Sequence, residues 1–252
     1  MISVVIPTYK RPDLLARLLE SICRQSQLPD EVIVVDDGSS MDEAYRNCID
    51  QFKARLPRIY FHSLTINSGA PHARNTGIRL TKYEWIALVD DDDEWLPEKL
   101  ARQWSIAQNA DPKLGLIYTW TDAKGTGEQD SYLSKHIVRG DARRAILSTN
   151  FIMSASVMVR KQAIIDAGLF DELFPSCQDW DMWTRIFLVG YFCEVVPEIL
   201  TIYHRHGGES IGLSTRAKLG YKLYIRRHFK EVLRHTSIMN IIKKSMLYIR
   251  SI

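Results

Sequence analysis

Trp85-Ile86-Ala87-Leu88-Val89 runs straight into Asp90-Asp91-Asp92-Asp93. Five apolar residues without polar alternation read as a strand covered on both faces. Similar short runs lie upstream. Ile2–Ile6 is followed by Pro7-Thr8-Tyr9, Val32–Val35 by Asp36-Asp37-Gly38-Ser39, and Ile59–Phe61 forms a third run. Helix-like spacing separates them: Leu14–Ile22, about 42–56, and Pro71–Leu80. Strands alternating with helices predict an α/β fold whose central sheet is mainly parallel. In such sheets a ligand sits beyond the carboxyl ends of the strands. Thr8, Asp36, Asp37 and Asp90–Asp93 should therefore converge on one site.

The acids carry the chemistry. Four adjacent carboxylates at the end of a buried strand repel one another, and a bound cation compensates them. Their hard oxygens suit Mg²⁺ or Mn²⁺, shared with substrate phosphates. A solvated turn capping a helix near Pro97 is the plainer reading, but a cap needs one acid. Asp36 and Asp37 can accept hydrogen bonds from a nucleobase or ribose, or simply cap a turn. Arg74 can hold a phosphate, pair with an aspartate, or be a surface residue. Cys177-Gln178-Asp179-Trp180-Asp181-Met182-Trp183 places acids at a helix start, either as functional groups or as caps above an aromatic core. Tyr203-His204-Arg205-His206 before two glycines suits a diphosphate or metal, or is a basic surface loop.

The later chain is less regular. Strands are expected at Leu116–Thr119, Ala155–Val159 and Phe192–Val196, and helices at Gln178–Val189 and Lys218–Leu233, the last with Tyr221, Tyr224, Ile225, Phe229 and Val232 along one side. Asp122–Arg139 is expected to be a loop near the site. Trp120 and Trp180 could stack on a sugar or belong to the core.

Composition narrows the class. At 46% hydrophobic and 25% charged, the 252-residue chain can bury a core, which excludes wholesale disorder. Stretches such as Phe151–Val159 fall far short of the roughly 20 residues that span a bilayer. No basic region precedes the first strand, so no signal peptide is expected. Cys23, Cys48, Cys177 and Cys193 form no CxxC pair, which fits reduced thiols in a cytoplasmic protein. Residues 216–252 hold ten Lys or Arg and one acid, leaving 23 basic and 29 acidic residues elsewhere, so a basic tail follows an acidic body.

Five motifs now stand in order: Val4-Val5-Ile6-Pro7-Thr8-Tyr9, Val34-Val35-Asp36-Asp37-Gly38-Ser39, Ala73-Arg74-Asn75-Thr76-Gly77 after Asn67-Ser68-Gly69, Leu88-Val89-Asp90-Asp91-Asp92-Asp93, and Gln178-Asp179-Trp180-Asp181. Together they resemble the family-two inverting glycosyltransferases with the GT-A fold, over about residues 2 to 211. The resemblance implies a nucleotide-sugar donor, most often a UDP-sugar, and Mn²⁺ or Mg²⁺. By that resemblance Pro7, Thr8 and Tyr9 border the nucleoside. Asp37 holds the base with Asp36 beside it, and Arg74 sits near the nucleotide. Asp90 and Asp92 match the Asp-x-Asp motif as metal ligands, with Asp90 and Asp91 near the donor. Asp179 matches the general base, with Asp181 as an outside candidate, and His206 lies near metal or diphosphate. Gln178 and His204 depart from the family's usual Glu and Arg.

Two parts are expected: a glycosyltransferase domain over 1–215, implied by the resemblance, and a basic helical extension over 216–252 that carries no motif of the family and is read from its charge and spacing. In that tail Ile238, Ile241, Ile242, Met246 and Ile249 recur at helical spacing. An interfacial helix on an anionic membrane surface and a helix packed on the body are both open readings. Nucleic acid is not expected, because the mouth of the site is acidic. The function expected is transfer to a glycan or polyprenyl-diphosphate-linked acceptor in cell-surface polysaccharide synthesis, such as O-antigen, on the cytoplasmic face of the membrane. A nucleotidyltransferase is an alternative, though no glycine-rich phosphate loop follows the first strand. A catalytically silent docking protein is another.

Overall fold

The computed structural model describes residues 1–125, 127, 130–204 and 215–235. Their strands form a nine-stranded sheet in the order β3-β2-β1-β4-β8-β6-β9-β5, with β7 paired to β6. The parallel part comprises β1 (Ile2–Thr8), β2 (Glu31–Asp36), β3 (Ile59–Ser63) and β4 (Trp85–Leu88). α1 (Pro12–Cys23), α2 (Asp42–Asp50) and α3 (Ala70–Leu80) fall between these strands. The expected α/β fold is present, and its first half follows the sequence pattern closely except that the helix expected over about 42–56 ends at Asp50 and continues as turns.

The sheet is covered on both faces because side chains alternate along each strand. Val4, Ile6, Val34, Ala87 and Ile117 face one core with α1, α2 and α4 (Lys99–Ala107). Val5, Val35, Leu88, Leu116 and Val159 face the other. There they meet α3, α5 (Arg143–Ser148), α6 (Lys161–Asp166) and α7 (Gln178–Leu188). Gly77 lets α3 lie close on β1, since a Cβ there would come within 2.5 Å of Val5 Cγ1.

The second half departs from expectation in three places. β6 extends over Leu114–Lys124 and β7 (Tyr132–Ser134) pairs with it, so the expected loop at 122–139 opens on the end of β6 and is interrupted by β7, with 135–139 irregular as expected. At 155–159 a 3₁₀ turn (Ser154–Ser156) precedes β8 (Met158–Arg160), which runs antiparallel to β4 and β6. β9 (Phe192–His204) is far longer than the apolar run Phe192–Val196, because pairing with β6 carries it past Pro197 through shifts in register. Its far end pairs with the short β5 (Glu94–Trp95), directly after the four aspartates.

α8 (Thr215–His235) packs on α5 and α7. Gly220 makes the approach possible, since a Cβ there would lie 2.6 Å from the Ser176 carbonyl oxygen. Trp180 stacks on Tyr224 at 4.0 Å and donates its indole N–H to the Ile146 carbonyl, so it is a core residue and not a sugar platform. His228 takes the inward position and Phe229 is exposed, contrary to the apolar spacing. The cause is Asp181: its buried carboxylate meets His228 Nε2 at 2.8 Å and accepts from Arg185 Nε at 2.8 Å. Asp181 is thus turned towards α8, and the outside reading of it as a base is corrected. Residues 236–252, including the apolar series from Ile238 to Ile249, lie outside the described residues. No helix among the described residues is long and apolar enough to cross a membrane.

Burial alone would raise the Asp181 pKa, but the His228 hydrogen bond and the Arg185 and Arg227 charges hold it below the ordinary 3.8. A carboxylate depressed in the fold stabilises above its unfolded pKa, and that stability is lost as pH falls through the folded value. Asp181→Ala should cost about 3–5 kcal/mol in urea denaturation, because His228 and Arg185 lose a buried partner. Below about pH 4 the variant's stability should change less steeply with acid than the wild type's.

Candidate active site

The four aspartates form a turn, closed by the Asp93 N–H donating to the Asp90 carbonyl at 3.2 Å. Turn geometry sorts them into two pairs. Asp91 and Asp93 are buried, whereas the side chains of Asp90 and Asp92 are 27% and 15% exposed. Each is met by a group from a different element. Asp91 accepts from the Thr8 hydroxyl at 2.7 Å and pairs with Arg11 Nη2 at 2.7 Å. Arg11 Nη1 also reaches Asp92 at 2.8 Å, and Arg17 Nη2 donates to the Asp92 carbonyl at 2.5 Å. Asp93 accepts the backbone N–H of His204 at 3.2 Å. Burial still pushes the Asp91 carboxyl up to about 7 and raises Asp93 well above its ordinary range. Tyr203 on β9 is raised as well, by burial first and then by the neighbouring Asp93, Asp90 and Asp92 charges.

Arg74 connects this turn to α7. It is almost wholly buried, over the Phe170 ring, with Nη2 on Asp90 Oδ1 at 2.5 Å and Nη1 on Gln178 Oε1 at 3.2 Å. Its neighbour Asn75 fixes the helix face by exchanging hydrogen bonds with the Phe170 backbone at 2.8 and 2.9 Å. Gln178 therefore serves Arg74, which explains what an amide can do where the resemblance leads one to expect Glu. The next residue is Asp179. Its Oδ1 accepts the Trp180 N–H at 2.8 Å and its Oδ2 accepts Asn150 Nδ2 at 3.2 Å. Burial raises its pKa above 3.8, against the opposing hydrogen bonds and the Arg74 charge. Cys177 caps α7 in the left-handed region at φ 59°, turning the chain so that Asp179 enters the first helical turn.

At the other edge, the Asp37 N–H donates to the Thr8 carbonyl at 2.9 Å, tying the ends of β1 and β2 together. The Asp37 oxygens accept the backbone N–H groups of Ser68 and Gly69 at 2.8 and 2.7 Å, just where α3 begins. Asp36 is fully buried and accepts the Ser39 N–H at 3.0 Å. Gly38, at φ 73°, brings this turn against Ile66, where a Cβ would lie 2.5 Å from the backbone. Both carboxylates thus shape the rim from below. Pro7 and Thr8 are buried and Tyr9 is exposed beside them.

The structure joins Thr8, Arg74 and Asp90–Asp93 in one network around the acid turn, and the Arg74–Gln178 hydrogen bond sets Asp179, the next residue, beside it. His206 lies outside the described residues. His204 is used at the sheet edge, with Nε2 at 2.8 Å from Glu94. Arg11 and Asn150 enter the site without any periodic signal in the sequence. Among the described residues no group of three or more His, Cys, Asp or Glu is placed to hold a metal ion. The two outward carboxylates, Asp90 and Asp92, are nevertheless a hard-oxygen pair that fits Mg²⁺ or Mn²⁺, which take remaining ligands from water and phosphate.

The model of the family described as "Glycosyl transferase family 2" matches residues 3–168. A putative colanic acid biosynthesis glycosyl transferase, WcaA of Escherichia coli, is 30% identical over 236 residues, 90% of this chain and 81% of its own. An uncharacterized glycosyltransferase of Haemophilus influenzae is 26% identical over 98% of this chain and 88% of its own. Among solved structures, S. aureus TarS 1–349 in complex with UDP-GlcNAc superposes with a TM-score of 0.72 at 19% identity, over 98% of this chain and 70% of that one. The mannosyltransferase PcManGT of Pyrobaculum calidifontis, in complex with GDP-Man and Mn²⁺, gives 0.68 at 19%, over 91% and 64%. The fold is shared with both.

Thr8→Val tests the network. It keeps the volume but removes the donor to Asp91 and the contact of 2.9 Å with the Tyr45 hydroxyl. A buried acceptor left unpaired costs about 1–3 kcal/mol, which urea denaturation should show.

Proposed function

The chain belongs to glycosyl transferase family 2, and on that premise we propose that it moves a sugar, with inversion, from a nucleotide-sugar donor to an acceptor hydroxyl. One observation carries this reading: Arg74 joins Asp90 of the acid turn to the start of α7, where Asp179 stands. A single displacement needs a base on the acceptor side and charge compensation on the leaving side, and the Arg74 link supports reading both as parts of one site.

Asp179 takes the proton of the acceptor hydroxyl. The freed oxygen attacks the anomeric carbon as that carbon's bond to the nucleoside diphosphate breaks, and one displacement inverts the centre. Asn150 and the Trp180 N–H hold the Asp179 carboxylate in place. Burial makes it a better base than a free aspartate. Asp90 and Asp92 would hold a divalent cation, which supplies Lewis-acid stabilisation of the departing diphosphate. Arg74 and Arg11 add positive charge at the same turn. Pro7, Thr8, Tyr9, Asp36 and Asp37 form the edge assigned to the nucleoside, and His206 remains assigned to the diphosphate.

A UDP-sugar is the first donor to try, supported by the UDP-GlcNAc complex of TarS; the GDP-Man and Mn²⁺ complex of PcManGT makes GDP-sugars the second. The WcaA name and a poly(ribitol-phosphate) beta-glucosyltransferase, 34% identical over 42% of this chain, support an acceptor in cell-surface polysaccharide. A polyprenyl-diphosphate-linked glycan at the cytoplasmic face is the acceptor proposed. Family membership speaks against a nucleotidyltransferase. The gathering of Asp90, Asp92 and Asp179 speaks against a silent member.

Nucleoside diphosphates should raise the melting temperature in the presence of Mn²⁺ and not in EDTA. Asp92→Asn should reduce that shift. Asp179→Asn should keep it and lower kcat about 10²- to 10⁴-fold. Activity should rise with pH through a limb above the ordinary Asp range, because the deprotonated form is the active one. An Asp179→Asn protein with normal turnover would sink the assignment.

A further inference from the structure

α8 is amphipathic in an unusual way. Its inward face, Gly220, Tyr224, Ile225, His228 and Val232, is spent on the body of the protein. The outward face carries Arg216, Lys218, Arg226 and Lys230, all exposed. Interleaved with them are Leu219, Phe229 and Leu233, which are 49%, 43% and 47% exposed. Leu219, Arg226, Lys230 and Leu233 follow at intervals of seven, four and three residues, so they form one stripe along the helix. The helix holds a single acid, Glu231, and it is paired with Arg234 and His235.

We propose that this outward face of α8 is a docking surface for an anionic lipid bilayer. The basic groups match the negative surface potential of the phosphate headgroups. The large apolar side chains among them would enter the boundary of the acyl chains, while Lys and Arg extend their stems and keep their charges at headgroup level. A nucleic acid would reward the charges but leave Leu219, Phe229 and Leu233 in water. The helix is held to α7 by the Trp180–Tyr224 stack and the Asp181–His228 contact. Docking would therefore bring the helix that carries Asp179 close to the membrane surface, where a lipid-linked acceptor is found. The surface is distinct from the proposed active site, and its binding is measured without any turnover.

The experiment is sedimentation of the full chain with vesicles of phosphatidylcholine alone or mixed equally with phosphatidylglycerol. The wild type should bind the mixed vesicles and leave the neutral ones. The triple variant K218E/R226E/K230E should bind at least about a hundredfold more weakly. F229S/L233S should weaken binding about tenfold or more, with an unchanged melting temperature. If the charge-reversed protein melts early, K218Q/R226Q/K230Q reads the same loss. Three results would overturn the proposal: a wild type that ignores anionic vesicles, charge variants that bind as well as it does, or an F229S/L233S protein that binds undiminished. The last would mean simple electrostatic adhesion, open equally to a nucleic acid. None of these outcomes bears on whether the chain transfers a sugar.

Discussion

Four consecutive carboxylates at the end of one strand cannot be left uncompensated, and the arrangement of the molecule around them follows from that. Two are buried, and burial raises the cost of their charge. The compensating groups come from far apart in the chain: the Thr8 hydroxyl at the end of β1, Arg11 before α1, Arg74 on α3 and the His204 N–H at the end of β9. The parallel half of the sheet delivers the first three, because its strands share one direction. The last comes from the antiparallel edge, which folds back through β5. The acid turn is thus the point where the two halves of the sheet meet.

The parallel half was legible because its signals are local. Ile2–Ile6, Val32–Val35 and Trp85–Val89 announce buried strands, and the polar residues after them mark the strand ends that gather beside the acid turn. Which of the four aspartates stay partly exposed was not legible: the turn buries Asp91 and Asp93 and leaves Asp90 and Asp92 open. The second half was less legible because its elements are fixed by pairing at long range. β7 has only Tyr132, Leu133 and Ser134, and it exists through its partner β6. β9 passes through Pro197 and exposed positions that break any simple period.

The site shows the same division. Asp179 could be named from its motif, but Asn150, which holds it, lies in a stretch with no recurring pattern. Arg74 could be placed near the strand ends, but its reach to Gln178 required α7 to be present. On α8, counting apolar spacing puts Phe229 inside. The structure puts His228 there, because a buried carboxylate two residues after Asp179 demands a partner more strongly than a phenyl ring demands cover. Hydrophobic periodicity identified the helix, and one charge set its rotation.

Asp179 and Asp181 stand two residues apart on α7 and point to different neighbours, one to the proposed active site and one to α8. The match to the family model ends at residue 168, before either of them. Anyone exchanging parts between relatives to change the acceptor would be drawn to cut near that limit. Such a cut keeps α7 and α8 on one piece but parts Asp179 from Asn150, Gln178 from Arg74 and Trp180 from Ile146, and those contacts would have to be re-created pair by pair. The helix pair then travels as one piece, held by the Asp181–His228 contact and the Trp180–Tyr224 stack, and its fit to the chain before residue 168 is what an exchange has to preserve.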